Sequence, residues 1–256
     1  MYAEDVHLTL QTEKPSAYLM QNIRSACESG WDFSSRWCAQ PDELTSIQTC
    51  EILPVDLNCL MFHLEVTLGN AFLLEGYNEK SDLFKSKSEQ RKALILKYFW
   101  NEEEGYFFDY DFVAKKQTPS IHLAGIFPLA FGLVDMAQGK KALYFMEKHL
   151  LKDGGLVTTT LTTGQQWDAP NGWAPLQWMA LEATIHYHQM SLGVKIAERW
   201  TLLNEKVFKT TGKMMEKYNV VDTDSESGGG EYPVQDGFGW SNGVYLAMKK
   251  WLDENK

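Results

Sequence analysis

The sequence has no basic excess, no cysteine framework and no Pro/Ser-rich linker. Lys and Arg total 24 against 34 Asp and Glu, a formal charge of −10. No basic cluster is long enough to track a phosphate backbone, which argues against nucleic acid as a partner. The four cysteines, Cys27, Cys38, Cys50 and Cys59, fit neither Cys-x-x-Cys metal spacing nor a small disulfide scaffold, so free thiols are expected. The opening Met-Tyr-Ala-Glu-Asp-Val-His lacks the charged segment and apolar core of a signal peptide. No stretch is read as the roughly 18 apolar residues that a membrane span needs. These absences lead to the expectation of a soluble, cytoplasmic protein with no membrane contact.

What is present is a core-forming composition, 44% apolar and 13% aromatic, enough for residues 1–256 to form one unit. Leu57, Leu60, Met61, Leu64, Leu68 and Ala71 follow the i, i+3, i+4, i+7 spacing of one buried helical face. Similar stretches fall near 15–28, 87–99, 121–150, 175–190, 193–209 and 241–252. Pro15 and Pro175 suit first turns. The fold class is therefore all-α.

Between the helices lie loops rich in glycine and aromatic residues, at 29–37, 105–112, 164–175 and 228–240. In stacked helix pairs such loops can converge on a pocket at one rim. Asp32 stands between Trp31 and Phe33, where burial would raise its pKa and Arg36 would lower it. The structural alternative is that Asp32 caps a helix or pairs with Arg36. A second carboxylate, Glu231, follows Gly228-Gly229-Gly230 and precedes Tyr232, Phe238 and Trp240. Glycosidases need such a pair, and aromatic faces pack on sugar rings. His186 and His188, two residues apart, point away from each other on a helix, so no metal is expected. The glycine run lacks a following Gly-Lys-Ser/Thr and is no phosphate loop. No cofactor is expected.

Three segments point to one family. Gln166-Trp167-Asp168-Ala169-Pro170-Asn171-Gly172-Trp173-Ala174-Pro175 is similar to a signature of the trehalases, glycoside hydrolases that cleave α,α-trehalose into two glucoses. Glu28-Ser29-Gly30-Trp31-Asp32-Phe33-Ser34-Ser35-Arg36-Trp37 and Gly228-Gly229-Gly230-Glu231-Tyr232-Pro233 resemble the family's acid and base loops. The resemblance implies an (α/α)6 barrel, Asp32 as general acid and Glu231 as general base, with inversion at the attacked carbon. It also implies a sugar pocket of Gly30, Trp31, Phe33, Gln166, Trp167, Trp173, Tyr232, Phe238 and Trp240. For the aromatic residues, plain core packing is the alternative. The likeness is read as nearest the cytoplasmic bacterial type and as the carboxy-terminal half of such an enzyme, because the family's first signature has no counterpart here. A barrel with its first helices missing is expected. The alternative function is a catalytically silent carbohydrate-binding or assembly fragment needing a partner polypeptide that supplies the amino-terminal half.

Overall fold

A computed structural model describes residues 3–225 and 234–255. After α1 (Ala3–Leu10), Pro15 takes φ −55° and ψ 129° and launches α2 (Ser16–Ser29). Gly30 ends α2 in the left-handed region, φ 78°, a conformation that costs glycine little. Its N–H closes the last turn on the Cys27 carbonyl, and the chain turns sharply into the Trp31–Asp32 loop.

The remaining helices are α3 (Val55–Leu74), α4 (Asn78–Phe99), α5 (Phe127–Ala130), α6 (Met136–Leu150), α7 (Ala174–His186), α8 (Met190–Thr211) and α9 (Gly239–Asn255). α4 begins well before the expected position 87, because its first turns are polar and exposed and leave little hydrophobic periodicity to read. The expected stretch 121–150 divides into the 3₁₀ turn Leu123–Ile126, α5 and α6. Gly132, at φ 66°, turns the chain after α5. Asp135 then caps α6 by accepting from the N–H groups of Ala137 and Gln138. Pro175 lies in the first turn of α7, where its missing N–H costs nothing.

Short links at 75–77 and 187–189 fold α3 onto α4 and α7 onto α8, while α9 packs on both α7 and α8. Small antiparallel ribbons close the loops. Ile52–Leu53 pairs with Tyr110–Asp111, and Asn171–Trp173 pairs with Lys217–Asn219, with Trp173 opposite Lys217. The core runs continuously through these layers, from Leu19 and Ile23 of α2 to Trp200 of α8 and Met248 of α9.

One expectation about α3 is corrected. The face marked as buried is exposed: Leu57 is 53%, Leu60 47%, Met61 37% and Leu64 47% accessible. The inward side instead carries Val55, Cys59 and Gly69 together with Asp56 and Glu65. Those carboxylates tolerate burial because Arg36 and Arg91 neutralise them. The helix is apolar on both sides, and periodicity alone marked the wrong one. It is also the one described helix long and apolar enough to cross a membrane by length and composition, a feature the sequence reading did not register. Its ion pairs to Arg36 and Arg91 tie it into the protein wall.

Candidate active site

The loop that carries Asp32 is fastened by a buried carboxylate from a loop far along the chain. Asp168 Oδ1 accepts from the hydroxyls of Ser34 (2.8 Å), Ser35 (2.9 Å) and Thr159 (2.9 Å). Its Oδ2 accepts from the Ser35 N–H (2.9 Å) and the Thr163 hydroxyl (2.5 Å). An acceptor-only group surrounded by donors is the arrangement that makes a buried carboxylate tolerable. Trp167 N–H adds a bond to the Phe33 carbonyl, 3.0 Å. Loops 29–37 and 164–175 thus form one unit.

Arg36 does not pair with Asp32. Its guanidinium is fully buried and turns inward, with Nη1 and Nη2 donating to Asp56 (2.9 and 2.7 Å) and Nε and Nη2 donating to Asp109 (2.6 and 2.9 Å). The rings of Trp31 and Trp37 lie 4.5 and 4.4 Å from its central carbon, a cation held between two aromatic faces. His122 Nε2 sits 3.1 Å from Asp109 Oδ2. Asp109 comes from the aromatic loop 105–112, which therefore braces the site.

With Arg36 engaged elsewhere, burial pushes the Asp32 carboxyl above its usual range. Its own backbone N–H opposes the rise, and the negative charge of Glu216 adds to it. Glu216 was not singled out in the sequence. It is 4% exposed and precedes the strand Lys217–Asn219. The available signal was a Glu-Lys pair set among Met214, Met215, Tyr218 and Val220, charges in an otherwise apolar stretch. Lys217 Nζ lies 3.1 Å from Glu216 Oε2 and 3.3 Å from Gln166 Oε1. Gln166 Nε2 in turn donates to the Asp32 carbonyl.

Around this chain of polar groups stands an aromatic wall. Trp31 stacks on Trp167 at 5.3 Å, Trp167 on Trp173 at 3.9 Å and 3°, and Trp240 meets Trp173 edge-on at 5.7 Å. Phe238 lies 4.8 Å from Trp240, and the Trp240 indole N–H donates to the Glu216 carbonyl. Trp173, only 1% exposed, backs Trp167 and has no free face of its own. Phe33, Phe238 and Trp240 are half-buried. The structure thus brings Gly30, Trp31, Asp32, Phe33, Gln166, Trp167, Trp173, Phe238 and Trp240 into one region. Glu231 and Tyr232 lie outside the described residues.

Helical hairpins whose aromatic loops surround a raised carboxyl and a second carboxylate place the protein in the class of (α/α)6-barrel glycoside hydrolases. Within that class the chain belongs to the trehalase family, whose model matches residues 1–253. The periplasmic trehalase of Salmonella paratyphi C is 41% identical over 235 residues, covering 92% of this chain and 41% of the relative. The neutral trehalase Nth1 from Saccharomyces cerevisiae superposes with a TM-score of 0.78 at 27% identity, covering 94% of this chain and 44% of that one. The mannosylglycerate hydrolase of Thermus thermophilus, TM-score 0.63 at 20% identity over 81% of this chain and 50% of that one, shares the fold. The chain spans less than half the length of the curated relatives it matches. The expectation of a cytoplasmic protein, nearest the cytoplasmic type, is corrected: relatives at 41–42% identity are named periplasmic trehalases.

Proposed function

We propose that residues 1–256 form the carboxy-terminal catalytic part of a barrel that hydrolyses α,α-trehalose with inversion, working in the periplasm as its named relatives do. Asp32 is the general acid, protonating the bridging oxygen. The base deprotonates a water on the opposite face of the sugar, which then attacks the anomeric carbon; the C–O bond breaks and one glucose leaves. The observation that carries this reading is the placement of Asp32, raised by burial, on a loop that Asp168 fastens beside the stacked Trp31, Trp167 and Trp173 rings. A carboxyl raised by burial beside an aromatic wall is the pattern of a general acid. Glu231, the candidate read from the sequence, is the proposed base, and Glu216 is its competitor.

The test is proton NMR of trehalose incubated with the chain and with Asp32→Asn, Glu216→Gln and Glu231→Gln. One α and one β glucose are expected before mutarotation, with turnover lowered roughly 10²–10⁴-fold in Asp32→Asn and Glu231→Gln. Collapse in Glu216→Gln with activity kept in Glu231→Gln would pass the base role to Glu216. Full activity in Asp32→Asn would remove the acid assignment.

The uncovered face of α3 supports a second reading, a fragment that is silent until a partner polypeptide supplies the remaining barrel wall. A cavity of about 740 Å³, lined by Arg24, Glu28, Leu57, Leu60 and Phe112, continues that face. Contiguous apolar surface of this kind favours association. Size-exclusion mass and activity measured on the same fractions decide between the readings, because a compact, active monomer would sink the second.

A further inference from the structure

Buried backbone N–H and C=O groups must find partners, and where the chain is not in a regular ladder side chains supply them. Met215 and Glu216, between α8 and the strand Lys217–Asn219, are buried in this way. The Met215 N–H donates to the Tyr218 hydroxyl at 2.9 Å, and its carbonyl accepts from the Ser241 hydroxyl at 2.6 Å. The Glu216 carbonyl accepts from the Trp240 indole N–H at 3.0 Å. Two backbone bonds join this segment to the chain before α9: Glu216 N–H to the Gln235 carbonyl (2.9 Å) and Gly237 N–H to the Met214 carbonyl (2.8 Å). Lys213 pairs with Asp236 beside them. The same stretch continues into the ribbon with Asn171–Trp173, where Tyr218 stands opposite Gly172. Residues 214–219 therefore hold two things at once: the loop 164–175 that fastens Asp32, and Gln235, four residues after Glu231 in the sequence.

We infer that Ser241 is a positioning residue for the reaction: its hydroxyl locks residues 214–216 to the first turn of α9, and so sets the chain that returns from Glu231 against the loop that carries Asp32. The inference rests on the reading of Asp32 and Glu231 as acid and base. Ser241 is 0% exposed and needs no contact with sugar for this role. An inverting pair works only at a separation of about 6.5–9.5 Å that admits one water, and a misplacement of about 1 Å can lower the rate about 100-fold. Alanine would remove the bond and leave the buried Met215 carbonyl without that donor. Threonine would keep the hydroxyl.

The deciding experiment compares the purified chain with Ser241→Ala, Ser241→Thr and Glu231→Gln, recording trehalose hydrolysis and amide hydrogen exchange. Ser241→Ala is expected to lower kcat by roughly 10–100-fold with KM within about threefold, and Ser241→Thr to recover most of that loss. In Ser241→Ala, exchange at the Glu216 and Gly237 amides should rise by roughly tenfold and the rise should extend through residues 228–235, with α7 and α8 unchanged. A kcat within about threefold of the parent overturns the inference. So does faster exchange that is confined to α9 or spread evenly over the protein, since the hydroxyl would then only hold the fold together. If Ser241→Ala fails to fold, Trp240→Phe keeps a ring, removes the bond to the Glu216 carbonyl and is judged by the same exchange criteria. If the parent chain is itself inactive, exchange alone decides. Full hydrolysis in Glu231→Gln beside the expected exchange in Ser241→Ala would instead show that the base assignment had failed.

Discussion

Removing the Arg36 guanidinium should be among the costliest single changes available in this protein. Arg36 is 2% exposed and makes four hydrogen bonds to two carboxylates, between the rings of Trp31 and Trp37. Arg36→Met keeps most of the volume but leaves Asp56 and Asp109 facing each other without their shared cation. Breaking one buried pair costs about 3–5 kcal/mol, mostly the penalty of the stranded charge. Two such pairs on one residue are not additive, so about 3–5 kcal/mol is a floor, equivalent to a midpoint drop of roughly 6–20 °C for a chain of this size.

Arg36→Lys should rescue little, because one ammonium cannot serve two carboxylates in bidentate geometry. The pH dependence supplies the sign. Burial by itself would raise the Asp109 carboxyl, but Arg36 and then His122 hold it well below the usual carboxylate range. Its contribution to stability is therefore present above the unfolded value near about 3.9 and lost only as the pH falls below that toward the depressed native value. Without Arg36 the depression is released, so the deficit of Arg36→Met should be larger at pH 8 than at pH 4. Tryptophan fluorescence during urea unfolding at both pH values measures it. A loss below about 1 kcal/mol, or a deficit that grows toward acid, would refute the reasoning.

Three further outcomes are expected. Asp168→Asn replaces one acceptor oxygen with a donor amide among five donors, and should cost about 2–3 kcal/mol together with most hydrolysis; urea titration and glucose release check it, and unchanged values would mean that the loop is held by other contacts. Because burial raises the Asp32 carboxyl, its ionisation lowers native stability as pH climbs from the unfolded value near about 3.9 through the raised one. Asp32→Asn should then melt no lower than the parent at pH 7, while a clear drop would contradict the shift. Burial pushes the Cys38 thiol up to about 12 and Cys59 upward as well, whereas Cys27 is exposed. In a thiol-reagent time course on the native protein, Cys27 should label first and Cys38 and Cys59 only after denaturation; early labelling of Cys38 would refute its burial.

Much of this protein was legible from residue order alone, because the determining interactions are local. Pro15 and Pro175 fix first turns, the spacing of apolar residues marks α2, α8 and α9, and the cluster from Gln166 to Pro175 names the family by its side chains. The side of α3 that turns inward was not legible. Both sides are apolar, and the choice is made by Arg36 and Arg91, which draw Asp56 and Glu65 into the interior. The partners of Arg36 were equally hidden: Asp32 is nearer in sequence, but Asp56 and Asp109 are nearer in space. Glu216 joined the site only through tertiary structure, since the ribbon pairing Lys217 with Trp173 brings it to Asp32 across the length of the chain. Local pattern determines which elements form and where the candidate side chains lie along them. Which charges meet depends on long-range packing, where burial makes each unpaired charge too costly to leave alone.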